Sequence, residues 1–148
     1  MDLKTTPFLF EDNQQHLLSE FQKEKGYILY FFPKAATPGC ILETIAYNKH
    51  YQEFLQKGYN VIGISRDNPK KQHQFKCDHT VAFPMLCDID EKLCQHFDVM
   101  KQKKMFNNVF MAIERSTFVV DNDFNILQSW QKVKPVGHIE DVLKFLNK

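Results

Sequence analysis

Gly26-Tyr27-Ile28-Leu29-Tyr30-Phe31-Phe32 is a continuous apolar, β-rich run, and Pro33 stops it. A strand that is apolar at every position, instead of at alternate ones, is buried on both faces, which places this segment in the middle of a sheet covered on two sides. After a short loop, residues 40–56 carry Ile41, Ile45, Tyr51, Phe54 and Leu55 at helical spacing, with Gly58 as the stop. Tyr59-Asn60-Val61-Ile62-Gly63-Ile64-Ser65 reads as a second buried strand, and Pro69 opens a polar helix that reaches Cys77. Phe83-Pro84-Met85-Leu86-Cys87 is a short third strand, followed by a helix over 90–97. Ser116 to Asp121 and Asn125 to Gln131 flank a polar Asn122-Asp123 turn, as the strands of a hairpin do, and residues 136–146 close the chain as an amphipathic helix. The segment before residue 20 reads as a hairpin or short turn on the sheet edge, and residues 100–114 as the one long loop. This order predicts an α/β fold, a central mixed β-sheet flanked by helices.

A chain of 148 residues, 43% hydrophobic, is long enough for one substantial core and too short for two ordinary domains, and no repeat or Pro/Gly/Ser linker divides it. A single domain over residues 1–148 is expected. The net charge of +1 excludes the strong basic field of a nucleic-acid binder. The N-terminal residues show no apolar signal segment and the best apolar run is too short to cross a bilayer, so no membrane partner and a cytoplasmic location are expected. Six histidines show no metal-ligand spacing; His73 and Cys77, at i and i+4, lack two further ligands. Four cysteines, Cys40, Cys77, Cys87 and Cys94, are too few for a disulfide scaffold and are either core fillers or redox-active thiols.

Cys40 stands where a helix begins after the buried strand. Unpaired backbone N–H groups and the positive end of the helix dipole favour a thiolate at such a position, the dipole by about 0.3–1 kcal/mol. An arginine fork is the natural second contributor, because it stays charged and presents two donors at once.

Pro33-Lys34-Ala35-Ala36-Thr37-Pro38-Gly39-Cys40 matches the peroxiredoxin active-site pattern Pro-x-x-x-Thr-x-x-Cys. The local form Thr-Pro-Gly-Cys, with a second block from Lys103-Lys104-Met105 to Ile113-Glu114-Arg115-Ser116-Thr117-Phe118, resembles the bacterioferritin-comigratory, or Q-type, branch of that family. The resemblance spans residues 7–147. It implies a thioredoxin-like fold and a thiol peroxidase without metal or organic cofactor, acting on hydrogen peroxide and organic hydroperoxides, with thioredoxin or a related thiol as reductant. By position it assigns Cys40 as the peroxidatic nucleophile, Thr37 as a hydroxyl bonding to thiolate and peroxide, Arg115 as the cation holding both, and Pro33 as the shield of the pocket. The N–H groups of Gly39 and Cys40 are the expected remaining donors. Glu43 stands where the family often has a glutamate that orients the arginine, and it reads equally well as a solvated helix carboxylate. Q-type relatives suggest a monomer.

Many members of the branch carry a resolving cysteine five residues after the first; here that residue is Ile45. Others keep it on the following helix shortly before a Phe-Pro strand, and Cys77, six residues before Phe83-Pro84, is the expected resolver. An external thiol, or Cys87 or Cys94, remains open, and Cys87 and Cys94 also read as core packing. A disulfide oxidoreductase on the same fold requires Cys-x-x-Cys, whereas Thr37 occupies the partner position. A redox sensor passing a disulfide to a regulatory partner uses the same activated thiol and is the alternative function.

Overall fold

The computed structural model describes residues 1–148. β1 (Pro7–Leu9) and β2 (Gln15–Leu17) form the expected N-terminal hairpin, tied to the sheet edge through the Phe10–Leu86 bridge. β3 (Gly26–Phe31) leads into α1 (Pro38–Lys49) and α2 (Tyr51–Gln56), and β4 (Tyr59–Ser65) into α3 (Pro69–Asp78). Then follow β5 (Met85–Cys87), α4 (Lys92–His96), β6 (Met100–Met105), β7 (Asn108–Ile113), β8 (Ser116–Asp121), β9 (Ile126–Trp130) and α5 (His138–Leu146).

The central sheet runs β5-β4-β3-β8-β9, with β3 parallel to β4 and antiparallel to β8. The all-apolar strand is therefore the middle one, and its side chains divide by alternation between two cores. Tyr27, Leu29 and Phe31 pack with Ile62, Ile64, Phe118 and Val120 on one face. Ile28, Tyr30 and Phe32 pack with Tyr47, Phe54, Val61, Phe75 and Cys40 on the other. Each such side chain contributes about 1.5–3 kcal/mol on burial, so this strand is the main anchor of the fold. Gly63 is fixed by the same packing: a Cβ there would lie 2.8 Å from the Tyr30 hydroxyl and 2.9 Å from the Met85 sulfur.

Two expectations are corrected. The helix read over 40–56 is two helices, broken at His50, which caps the end of α1 and the start of α2. The segment 100–114 is no irregular loop but an antiparallel ribbon, β6 with β7, paired only with itself. No helix is long and apolar enough to cross a membrane.

Candidate active site

The parallel β3–β4 pair directs its C-terminal ends to one rim of the sheet, and the site is built there. Phe32 extends β3 by donating its N–H to the Ile64 carbonyl at 3.0 Å, and half-buried Pro33 then turns the chain outward. The loop is pinned by the Asp67 carboxylate, which accepts from the Ala35 N–H and from the Ser65 hydroxyl, both at 2.7 Å. Ala36 is held at φ +66°, a left-handed conformation that costs a non-glycine residue roughly 1–2 kcal/mol and that delivers Thr37 to the start of α1.

Pro38 supplies the first residue of α1 and removes a donor that the helix has no use for. Cys40, the third residue, is fully buried, and its N–H and that of Gly39 find no acceptor in the protein. Arg115, in the turn between β7 and β8, is anchored by its carbonyl, which accepts from the Val133 N–H at 2.9 Å. Its guanidinium forks: Nη2 lies 3.4 Å from Cys40 Sγ and Nη1 donates to Glu43 Oε1 at 2.8 Å. Gly39 leaves room for this fork, since a Cβ there would stand 3.2 Å from Nη2 and 3.1 Å from Pro135 Cγ. Burial opposes the charge of Arg115, but Glu43 and then Cys40 more than offset it and hold the guanidinium above its ordinary value.

Glu43, for which the sequence allows two readings, is not solvated: it is 1% exposed, one turn beyond Cys40 on the inner face of α1. Its Oε2 has no partner. Burial pushes the carboxyl up to about 7 against the downward pull of Arg115. Between about pH 4.5 and about 7 the folded state holds a proton at Glu43 that the unfolded chain has released, so unfolding free energy falls as pH rises through that window, and above it the carboxylate pairs with Arg115. Glu43→Gln keeps an oxygen for Arg115 but does not titrate, so its denaturation midpoint is expected to exceed that of the wild type at about pH 8 and to vary less down to about pH 5. A pH slope unchanged by the substitution contradicts this assignment.

The structure amends the expectation for Thr37. Its hydroxyl donates to the Lys34 carbonyl at 2.8 Å and so does not donate to the Cys40 sulfur; what it retains is a pair of acceptor lone pairs. Pro33 stands at the loop entrance, partly buried. Cys77 is not beside Cys40: Gln72 and Phe75 form the inward face of α3, while Cys77 is exposed near its end, 3.5 Å from His73 Nε2 and lining an open cleft of about 1230 Å³. Cys87 is buried near Glu11 and Asp67, and desolvation with those charges pushes its thiol up to about 12. Cys94 lies in the opposite core, raised still further by burial and Asp88. Of the four, Cys40 alone has an arginine within hydrogen-bond distance of its sulfur.

Behind the site, Tyr47 Oη meets Thr117 Oγ1 at 3.0 Å, which meets His138 Nε2 at 2.9 Å, and Tyr30 Oη meets Thr44 Oγ1 at 2.9 Å. Burial pushes the His138 imidazole down to about 4, so it is neutral at physiological pH. These partners are distant in sequence and carry no spacing signal.

A buried cysteine at a helix N-terminus, faced by a guanidinium at the strand ends of a mixed sheet, defines a thiol-based redox enzyme of the thioredoxin-like fold. The sequence matches the AhpC/TSA family over residues 3–129. It is 41% identical to peroxiredoxin Bcp of Xanthomonas campestris pv. campestris, across 80% of this chain and 74% of that one. It is 39% identical to peroxiredoxin Bcp of Bacillus subtilis, across 87% and 82%. A solved structure of Xanthomonas campestris peroxiredoxin Q superimposes with a TM-score of 0.89 at 36% identity, covering 98% of this chain and 91% of the other. The chain belongs to the AhpC/TSA family and, within it, to the peroxiredoxins, which are thiol peroxidases.

Proposed function

We propose that Cys40 is the peroxidatic nucleophile, with Arg115 as its activating cation, Glu43 positioning that cation, Thr37 accepting a hydrogen bond from the peroxide, and Pro33 shielding the pocket. The observation that carries this reading is the 3.4 Å contact between Arg115 Nη2 and Cys40 Sγ at the start of α1. The thiolate attacks one peroxide oxygen, the O–O bond breaks, and the leaving oxygen takes up a proton to depart as water or an alcohol. The Arg115 fork and the free N–H groups of Gly39 and Cys40 stabilise charge as it moves along the S–O–O axis. Hydrogen peroxide and small organic hydroperoxides fit a sulfur this enclosed, since the peroxide end must pass the loop at 33–37. The captured alkyl peroxide chemistry described for the Xanthomonas campestris bacterioferritin comigratory protein, which aligns at 35% identity and a TM-score of 0.89, supports the wider substrate class.

The product, Cys40 sulfenic acid, must meet a second thiol before further peroxide oxidises it irreversibly. Cys77 is the proposed resolver: its thiolate attacks the Cys40 sulfur, the S–O bond breaks, the leaving hydroxide takes up a proton from solvent to depart as water, and an intramolecular disulfide results. Its exposed place near the end of α3 supports this role, because few bonds hold it. Disulfide closure needs Cα atoms about 4.4–6.8 Å apart. Freeing the last turn of α3 breaks the His79 N–H to Phe75 carbonyl bond, and freeing the segment after it breaks the clamp of Asn48 on Thr80 and Ala82. Thioredoxin or a related dithiol then reduces the exposed side of the bridge. The chain acts as a cytoplasmic monomer in this reading.

Non-reducing peptide mapping after one equivalent of hydrogen peroxide tests the cycle. The wild type is expected to yield a Cys40–Cys77 linkage, whereas Cys77→Ser consumes one equivalent and then stalls, with dithiol-driven turnover reduced by about two orders of magnitude. Undiminished turnover in Cys77→Ser would assign resolution to an external thiol.

A further inference from the structure

The ribbon formed by β6 and β7 is unlike the rest of the surface. It pairs with no other strand, and its stem is held at one side where Arg66 donates to the Met111 carbonyl at 3.3 Å and pairs with Glu91 at 3.1 Å. At its tip Met105 faces Asn108 across a two-residue turn, and Phe106 in that turn is 89% exposed. Met105, Val109, Phe110 and Met111 are exposed as well. From residue 100 to 113 the ribbon carries Lys101, Lys103 and Lys104 and no acidic residue.

Cross-strand pairing shows which face each side chain takes. Gln102 opposite Met111 and Lys104 opposite Val109 lie on one face; Lys103 opposite Phe110 and Met105 opposite Asn108 lie on the other. Apolar side chains therefore project from both faces and from the tip. A folded protein partner covers one face of a ribbon and leaves the other wet. A lipid interface surrounds an inserted tip on all sides, and lysines along the shaft extend their charged ends to the headgroups while their stems stay with the apolar part. Lys101 and Lys103 lie near Asp98 and Glu114, at 3.3 and 3.9 Å, which leaves Lys104 as the unpaired cation closest to the tip. Self-association is disfavoured by the charge, since two copies meeting through this arm bring lysine against lysine.

The geometry points to the β6–β7 arm as a membrane-surface anchor: Phe106 and Met105 enter the headgroup boundary of an anionic bilayer, and the lysines hold the anionic headgroups. This departs from the absence of membrane contact expected from the sequence, which weighed spanning segments. Insertion of such a tip reaches about 5–10 Å, less than the length of the ribbon, so the body of the protein remains in water. The anionic cytoplasmic leaflet attracts each nearby lysine, an effect confined to about one Debye length. The anchor is independent of the peroxidase chemistry and is tested separately from it.

Co-sedimentation is measured with the full chain and vesicles of phosphatidylcholine, either alone or with about one quarter phosphatidylglycerol, at low and physiological salt. The wild type is expected to partition onto the anionic vesicles, with Phe106→Ser weakening partitioning by about tenfold and Lys104→Glu by at least about fivefold. Both variants should consume hydrogen peroxide at the wild-type rate, which separates loss of the anchor from loss of the fold. Wild-type protein that stays in the supernatant, or variants that sediment as the wild type does, overturn the proposal. So does a dimer formed without vesicles and dissolved by Phe106→Ser, which would assign the arm to a second copy of the chain.

Discussion

Cys40→Ser is expected to lower peroxide consumption to the rate of a protein-free control, a loss on the order of 10³-fold or more. The substitution is close to isosteric, and a serine hydroxyl at this position can accept from Arg115 Nη2, so the α1 start and its core contacts survive. What disappears is the nucleophile. A hydroxyl does not ionise under the influence of one guanidinium and a helix dipole, whose combined effect is a few kcal/mol. The two buried thiols cannot replace it, because burial and neighbouring carboxylates hold Cys87 and Cys94 in their protonated form, and exposed Cys77 has no arginine beside its sulfur to stabilise the charge of the reaction. Stopped-flow peroxide consumption with excess dithiol checks this, and a variant retaining a tenth of the wild-type rate would falsify the assignment of Cys40.

Arg115→Ala is expected to slow the peroxide step by about 10²–10³-fold, the usual cost of removing one preorganised donor from a developing charge. The same change strands Glu43, which is buried and has Oε2 already unpartnered. Without the downward pull of Arg115 the carboxyl takes up a proton and remains buried without its partner, a cost of about 1–3 kcal/mol, so part of a lost rate comes from lost structure. The double variant Arg115→Ala/Glu43→Gln removes the guanidinium together with the buried titrating carboxyl and separates the effects. Its thermal midpoint should recover toward the wild type while the rate of the peroxide step stays low. Recovery of rate together with stability would mean that Arg115 is only a structural partner of Glu43.

The strands of the central sheet are legible because burial on both faces leaves a plain record in sequence: every residue of β3 and β4 is buried, β3 carries no charged or amide side chain, and the polar Asn60 and Ser65 of β4 stand near its two ends around the apolar run 61–64. Cys40 and Arg115 were found as residues because each lies in a local motif, although their separation of 75 positions hides the 3.4 Å contact between them. The arm at 100–113 reads as a loop in sequence because its alternation is blurred. Val109, Phe110 and Met111 are apolar in succession, and lysines occupy the facing strand, as expected where neither face is covered by a core. Glu43 was undecided because a glutamate in a helix is ordinarily solvated; its burial depends on Arg115, a partner 72 positions away. The Thr37 hydroxyl was expected at the sulfur, but the left-handed turn at Ala36 brings the Lys34 carbonyl within its reach first.

Trapping of the sulfenic acid reaches the central claim most directly. Cys77→Ser protein, treated with one equivalent of peroxide in the presence of a dione that captures sulfenic acids, is digested and mapped by mass spectrometry. The adduct is expected on the peptide containing Cys40 and on no other. An adduct on Cys87 or Cys94, with Cys40 recovered as a free thiol, would contradict the account.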